Sequence, residues 1–353
     1  MSNNQRSPLR AAIRIFSALA LATFTSAALA DEQRPAPGID LVGINMSGAN
    51  FAPHVTPGRM GTHYFFPEKK HFAYYAKKNI RVIRFPFIWE RVQHDLDMGL
   101  NFDHMRMLRK TLDLAARHDQ KIILDMHNYG RYKGQLIGSP EVPYEAYASV
   151  WRKLAEAFKG HPGLWGYDIM NEPHSTKGLW PGAAQAAVNA IREVDSQTPI
   201  FIEGDRWASA FHWRHVNEDL LIEDPADNLI YEAHLYLDKD FSGRYAEDET
   251  VDPMLGVERA RPFVEWLQEH GLKGFLGEYG VPAHSESMLE AMDELLAYLN
   301  EHCIPSAYWA GGPGWGEYVM AIEPIKGEDR PQMEVLQKHI ANTCSDIGPA
   351  AAQ

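Results

Sequence analysis

The residues best suited to chemistry in this chain are two glutamates, each at the end of a short apolar run. Glu172 follows Asn171 where one run breaks at Pro173, and Glu278 ends a similar run further along the chain. Hydrolysis of a glycosidic bond with retention of configuration needs two such groups, because one acid protonates the leaving oxygen while one carboxylate attacks the anomeric carbon. The pair therefore predicts a retaining glycosidase.

These side chains need a scaffold that brings strand ends together, and the chain shows eight short apolar runs separated mostly by helical patterns. Eight buried strands alternating with helices predict a parallel sheet, and eight units of this length predict a single-domain, closed (β/α)8 TIM barrel. The weakest unit is the fifth, where 207–221 is a poor helix. The predicted strands are 41–45, 81–87, 121–127, 166–171, 199–203, 228–234, 274–278 and 306–309. The predicted helices are 68–78, 103–118, 144–159, 183–194, 253–270, 286–302 and 331–342.

An open, doubly wound sheet is the alternative architecture. It would place a Gly-x-Gly-x-x-Gly motif after the first strand, and segment 43–48 lacks that spacing. No repeat or linker divides the chain, so we expect one catalytic domain over 31–353.

Residues 1–30 are predicted to be a signal peptide. Arginines precede an apolar stretch at 15–27, and the small residues Ala28 and Ala30 stand before Asp31 as a cleavage site. A membrane anchor is the alternative, but the apolar stretch is shorter than the ~20 residues that a spanning helix needs. We expect a secreted or periplasmic protein without membrane attachment after cleavage.

The charge balance and the cysteines narrow the choice of partner and compartment. The chain has 34 Lys and Arg against 47 Asp and Glu, a net charge of −13, and cleavage would remove three of the arginines. This balance argues against nucleic acid as a partner and suits a neutral polysaccharide.

Cys303 and Cys344 are the two cysteines. In an exported protein they either pair or remain buried thiols, and we predict a disulfide between the helix before the eighth strand and the last helix.

Other predicted strand ends carry polar side chains as well. Arg84 closes the second strand, where a guanidinium can hold a carboxylate ionised. His127 and Asn128 end the third strand, and His234 ends the sixth, a pattern that favours contacts with sugar hydroxyls. Histidines and carboxylates also permit a metal hydrolase, but the expected His-x-His or helical i, i+4 pair is not in the needed place. We therefore expect neither a catalytic metal nor a cofactor.

As a set, these strand ends resemble glycoside hydrolase family 5. The motifs that carry the resemblance are Asn171-Glu172-Pro173 and Ile83-Arg84-Phe85-Pro86, and segments 43–51, 127–132 and 308–316 resemble its endo-β-1,4-glucanase (cellulase) branch. The resemblance implies an enzyme that hydrolyses internal β-1,4-glucosidic bonds of a β-glucan. We also expect the protein to be a monomer. An endo-β-mannanase or another β-glycanase of the family is the alternative, and a catalytically inactive sugar-binding barrel is a further one.

The resemblance also implies roles for individual residues. Glu172 would be the proton donor and base, and Glu278 the nucleophile. Supporting or substrate-binding roles fall to Arg84, His127, Asn128, Asn171, His234, Tyr236 and Trp309. Additional aromatic platforms for sugar rings are predicted in or just before strand-following loops, at Trp180, Trp207 and Trp315.

Overall fold

The architecture is a closed barrel of parallel strands. The structure, a computed structural model, describes residues 38–96, 98–246 and 249–349, so the predicted signal peptide at 1–30 lies outside the described residues. Within them, each of eight strands pairs with the next along the chain, and the last pairs with the first. The predicted (β/α)8 barrel is confirmed. The strands are β1 Val42–Met46, β2 Val82–Phe87, β3 Lys121–Met126, β4 Leu164–Asp168, β5 Ile200–Glu203, β6 Leu229–Tyr236, β7 Gly274–Gly280 and β8 Ser306–Gly311.

Helices follow the strands and cover the outside of the barrel. They are α1 Lys69–Lys77, α2 Phe102–Ala116, α3 Tyr144–Phe158, α4 Trp180–Arg192, α5 Trp213–Val216, α6 Leu255–His270, α7 Glu286–Glu301 and α8 Pro331–Lys338. A short helix, Trp89–Val92, and a hairpin of Arg131–Tyr132 with Gln135–Leu136 lie in the loops after β2 and β3. In the described part of the chain, no helix combines the length and apolar character needed to cross a membrane.

The fifth unit is irregular for a backbone reason. Arg206, Trp207 and Ala208 have φ values of 60°, 55° and 49°, a left-handed conformation that stops a helix from beginning directly after β5. The Trp207 N–H donates to the carbonyl of Pro173, and this bond holds the turn against the loop that follows β4. Only the four residues of α5 become helical, as the poor pattern of 207–221 indicates.

Side chains that face the barrel interior alternate along each strand and form layers. A lower layer, near the amino ends of the strands, is an apolar cluster. A layer of fully buried charged residues lies above it, two positions further along several of the same strands. The lower layer consists of Val82, Ile123, Phe201, Ile230, Phe275 and Ala307. The charged layer includes Arg84, Asp125, Asp168, Glu203 and Glu232.

A disulfide fastens the carboxy-terminal segment below the barrel. Cys303 and Cys344 are bonded with their Cα atoms 5.6 Å apart. The two predicted partners are bonded, but Cys303 follows α7 and Cys344 lies beyond α8. The bridge therefore joins the segments after these helices, whereas the prediction placed it between the helices themselves. The N–H of Gly348 donates to the Cys303 carbonyl, the N–H of Gly274 donates to the Gly348 carbonyl, and Ile347 packs against the lower layer.

Thiol titration of the unfolded, unreduced protein is expected to find no free cysteine. The bridge closes a loop of 41 residues, and loss of such a link by Cys303→Ser with Cys344→Ser should lower the free energy of unfolding by about 3 to 4 kcal/mol. Denaturant unfolding of the double variant and the wild-type protein measures this difference. Two titratable thiols in the wild-type protein would contradict the prediction.

Candidate active site

Arg84 lies at the centre of the barrel and is surrounded by carboxylates from five other strands. Its guanidinium is fully buried, and its nitrogens lie 2.8 to 3.0 Å from oxygens of Asp125, Asp168, Glu203, Glu232 and Glu278. Burial alone would lower the pKa of Arg84, but the negative charges of its neighbours, Asp125 first, raise this pKa well above its ordinary value. Arg84 is therefore a permanent cation that orients the acids around it.

The buried acids outnumber the cations, and two of them, Asp168 and Glu203, have raised pKa values chiefly because they are buried. Burial, together with the charge of Glu232, raises the pKa of Asp168 well above its ordinary value. Burial also raises the pKa of Glu203 to about 7, against the opposing effect of His234. Part of the charged layer therefore holds protons near neutral pH.

Glu278 is fixed through both of its carboxylate oxygens. Oε1 accepts a hydrogen bond from Arg84 Nη1 at 2.8 Å, and Oε2 accepts one from the Tyr236 hydroxyl at 2.7 Å. Burial and the charge of Glu278 raise the pKa of Tyr236 well above its ordinary value, so the phenol stays protonated and donates. Two donors of this kind fix the orientation of the Glu278 carboxyl group. Arg84 and Tyr236 are two of the residues for which the resemblance implies supporting or substrate-binding roles.

Glu172 has a different environment. Its backbone is left-handed, with φ of 46°, and its N–H donates to Glu203 Oε2 at 2.6 Å. Its Oε1 lies 2.9 Å from His234 Nδ1, and its side chain is 16% exposed against 5% for Glu278. Burial lowers the pKa of His234, but the charges of Glu203 and Glu278 outweigh this effect and raise it well above its ordinary value. His234 therefore presents an N–H donor to the more open of the two glutamates.

The two glutamates face each other across a short gap. One carboxylate oxygen of Glu172, one of Glu278 and a ring nitrogen of His234 all lie within 4.8 Å of one another. Glycosidases that retain configuration have carboxyl groups about 5 to 5.5 Å apart, whereas inverting enzymes leave about 6.5 to 9.5 Å for a water molecule. The gap here is of the retaining kind.

The comparison with protein families agrees with this geometry. The family described as "Cellulase (glycosyl hydrolase family 5)" matches residues 40–314. The chain belongs to glycosyl hydrolase family 5.

Solved and curated relatives in this family share nearly the whole chain. The Pseudomonas stutzeri endoglucanase Cel5A, solved in complex with cellobiose, is 71% identical over 90% of this chain and 98% of its own, with a TM-score of 0.89. An endo-beta-1,4-glucanase from Xanthomonas axonopodis pv. citri is 32% identical over 86% of this chain and 98% of its own, with a TM-score of 0.82. A probable endo-beta-1,4-glucanase B of Neosartorya fischeri is 32% identical over 88% of this chain and 94% of its own.

The other predicted polar residues of this family 5 barrel form two groups: residues at the floor of the site, and one residue whose side chain is fully engaged by neighbouring loops. Asn171 accepts from Arg84 Nη2 at 2.8 Å, while its buried Nδ2 has no partner among the described residues and remains available to a ligand. His127 is held by Asp125, 2.7 Å from its Nδ1, and its ring lies parallel to Trp309. Asn128 differs, because its amide is occupied by the N–H of Trp89, the carboxylate of Glu90 and the carbonyl of Arg131. Asn128 therefore fastens the loops after β2 and β3, which is a supporting role.

The predicted aromatic platforms have three different outcomes. Trp180 was expected in a loop, but α4 begins at this residue, with Pro181 in its first turn, where proline is favoured. Its indole is 2% exposed and donates to the Glu203 carbonyl, so the platform prediction for Trp180 is wrong. Trp315 packs edge-on against Trp309 and stacks on Tyr318, which makes it a support behind Trp309.

Trp207 is an exposed aromatic residue beside Glu172. Its ring is 48% exposed and stacks on His174 with centroids 4.5 Å apart and planes 10° from parallel. It lines a cavity of about 450 Å³ together with Glu172, and Glu278 is not among the lining residues. The cavity therefore opens on the Glu172 side of the gap. Its lining also includes Arg206, Ser209, Phe211, His212, His234, Tyr236, Phe241 and Arg244.

Sequence reasoning missed the charged layer beneath the two glutamates. Asp125 lies two positions before His127, and Glu232 lies two positions before His234. The period of two along a strand places such residues on the same inner face as the strand-end histidines. This alternation was the signal that could have identified them.

Two donor sets in the barrel have the spacing of metal ligands. One comprises Glu172, His234 and Glu278, and the other Glu203, Glu232 and His234. Both sets already contact a cation, because Arg84 lies 2.8 Å from Glu278, Glu203 and Glu232, and the pKa of His234 is raised. Positive charge already present opposes binding of a divalent ion at either set.

Proposed function

We propose that the protein is a retaining endo-β-1,4-glucanase that cleaves internal β-1,4-glucosidic bonds by double displacement. The observation that carries this proposal is the pair Glu172 and Glu278, within 4.8 Å through their oxygens but in unlike surroundings. The relatives named as endoglucanases support the choice of a β-glucan, and the Pseudomonas stutzeri enzyme was solved with cellobiose.

In the first step, Glu278 attacks the anomeric carbon while Glu172 protonates the glycosidic oxygen. Arg84 and Tyr236 hold the Glu278 carboxylate in position, each at hydrogen-bond distance from one of its oxygens. The carbon–oxygen bond to the leaving sugar breaks as the ester to Glu278 forms, and the proton of Glu172 goes to the leaving oxygen.

In the second step, Glu172 acts as a base. It takes a proton from a water molecule, which attacks the anomeric carbon from the side that the leaving sugar vacated, and Glu278 departs as a carboxylate. Two inversions give overall retention. The greater exposure of Glu172 suits a residue that must meet the incoming water.

Substrate contacts follow from the groups left without protein partners. The free Nδ2 of Asn171 suits the 2-hydroxyl of the sugar, a hydrogen bond that strengthens as positive charge develops at the anomeric carbon. Trp309, at the end of β8, would stack on the sugar whose bond is cleaved. The cavity beside Glu172 would take the leaving part of the chain, with Trp207 as its aromatic platform.

A substrate comparison tests this function. The viscosity of carboxymethyl cellulose is expected to fall early relative to the release of reducing ends, because internal cleavage shortens chains faster than removal of terminal units. Rates of reducing-sugar release should be measured on carboxymethyl cellulose, mannan, xylan and laminarin, with the Glu278→Ala variant as the inactive control. Faster hydrolysis of mannan than of the cellulose derivative would assign the chain to the mannanase branch, and binding without turnover would indicate an inactive barrel.

The cellular setting is part of the same proposal. We infer export through a signal peptide at 1–30, a mature domain at 31–353, and action as a monomer in the periplasm or outside the cell. The disulfide between Cys303 and Cys344 supports an oxidising compartment. Amino-terminal sequencing of the mature protein checks the cleavage site, and light scattering checks the monomer.

A further inference from the structure

Glu203 lies at the end of β5 and contacts Glu172. It is inaccessible to solvent, so it can act on the reaction only through other residues. The side chain is fully buried, and both of its oxygens accept from nitrogen donors. Oε2 accepts from the backbone N–H of Glu172 at 2.6 Å, and Oε1 accepts from Arg84 Nη2 at 2.8 Å. Oε1 also lies 3.4 Å from His234 Nε2.

The backbone of Glu172 needs such an anchor. Its φ of 46° is in the left-handed region, which is unfavourable for a residue that carries a Cβ atom. The next residue is Pro173, and a residue before proline is driven towards extended conformations. Glu172 is therefore held in a conformation that its local sequence disfavours, and the bond to Glu203 is the contact made by its own N–H.

A second route connects Glu203 to the carboxyl group of Glu172. His234 lies between them, with Nδ1 at 2.9 Å from Glu172 Oε1 and Nε2 at 3.4 Å from Glu203 Oε1. The negative charge of Glu203 helps to keep the imidazole protonated, and the imidazole orients the Glu172 carboxyl. Glu203 thus acts on the main chain of Glu172 and, through His234, on its side chain.

We propose that Glu203 is a positioning residue for the acid step, holding Glu172 where its proton reaches the oxygen of the leaving sugar. This inference rests on the proposed role of Glu172 as the proton donor. A misplaced acid impairs reactions that depend on protonation of the leaving group and spares those that do not. The dependence of rate on the leaving group therefore separates positioning from a general structural role.

Glu232 offers a matched control. It is also fully buried, lies 2.8 Å from Arg84 Nε and 3.5 Å from His234 Nε2, and makes no contact with Glu172. A glutamine at 203 must point its NH2 group at a donor, either Glu172 N–H or Arg84, so one contact is lost. A glutamine at 232 can keep its oxygen towards Arg84, the cation that it contacts.

The test compares kcat/KM for cellotetraose, which has a poor leaving group, with kcat/KM for dinitrophenyl β-cellobioside, which has a good one. Glu203→Gln is expected to lower the value for cellotetraose about 10- to 100-fold more than the value for the aryl cellobioside. Glu232→Gln leaves the bond to the Glu172 main chain intact and disturbs at most the contact with His234, so its selective loss is expected to be clearly smaller. Equal losses for Glu203→Gln, or the same selective loss for Glu232→Gln, would overturn the proposal.

Glu203→Asp provides a second variant that retains the charge beside Arg84. Its carboxylate is one methylene too short to reach the Glu172 N–H, so we expect the same selective loss. Wild-type behaviour of this variant would also overturn the proposal.

Glu172→Ala, measured on both substrates, separates the proposed acid role of Glu172 from the positioning role of Glu203. If Glu172→Ala shows no selective loss, the proposed function fails; if it does and the Glu203 variants do not, only the positioning role fails.

Discussion

Glu278→Ala and Glu172→Ala are each expected to lower kcat on cellulose derivatives by several orders of magnitude, and added azide should rescue them in different ways. Without Glu278, azide can occupy the space of the nucleophile and attack an activated β-glycoside directly. One inversion then gives the α-glycosyl azide. Arg84 and Tyr236 remain in place as donors beside that space.

Without Glu172, the outcome should be the opposite anomer. The ester on Glu278 still forms from a substrate with a good leaving group, since its departure needs little protonation. Azide, which needs no base to act as a nucleophile, then attacks this intermediate and gives the β-product. The product anomer, read by NMR, assigns the two roles, and the same reactions without azide are the control. The same anomer from both variants, or near-normal turnover by either, would contradict the assignment.

Arg84→Met is expected to destabilise the protein strongly and in a pH-dependent way. Removal of the cation leaves buried carboxylates without their shared partner, a change that typically costs about 3 to 5 kcal/mol. The folded state then binds protons more tightly than the unfolded state. A carboxyl group with a raised pKa stabilises the fold below its ordinary pKa, and this contribution is lost as the pH rises through the folded value.

The wild-type protein already shows the direction of this effect, because burial raises the pKa of Glu203 from 4.5 to about 7. In the wild-type protein this carboxyl ionises beside Arg84 near pH 7, whereas without the cation it should resist ionisation up to a higher pH, so the stability deficit of Arg84→Met should grow as the pH rises above about 7. Thermal unfolding of wild type and variant below and above this pH measures it. Arg91→Met is the matched control, since Arg91 is also buried but donates to the carbonyls of Ala49, Phe51 and Ala52. A deficit that is the same at every pH for Arg84→Met would contradict the prediction.

The strands and the glutamate pair were predictable because their signals are local. Apolar runs of five or so residues and the Asn171-Glu172-Pro173 motif can be read without knowing what lies across the barrel. The wrong platform at Trp180 has a different origin. Whether that ring is exposed depends on which residue begins α4, and an error of three residues turns an inner side chain into a loop side chain.

The roles of Asn128 and Glu203 depend on contacts between distant parts of the chain. Asn128 is engaged by Glu90, 38 positions away, and Glu203 contacts Glu172, 31 positions away. No local sequence pattern predicts these two contacts. The charged layer was predictable, because strand alternation places Asp125 and Glu232 on the inner face of the barrel. It was missed because the prediction considered only the residues at the ends of the strands.

Among the described residues, the apolar lower layer fills the barrel below the two glutamates, and the carboxy-terminal segment packs against it. Phe201 and Phe275 belong to this layer, and Ile347 is the residue of the segment that contacts it. In the proposed reaction, the hydrolytic water must then arrive from the side of the two glutamates, to which the leaving sugar also departs. Departure has to come first, and any alcohol or second sugar chain that enters the vacated cavity competes directly with water for the ester on Glu278. The filled lower end of the barrel thus makes the balance between hydrolysis and transfer depend on what occupies one cavity.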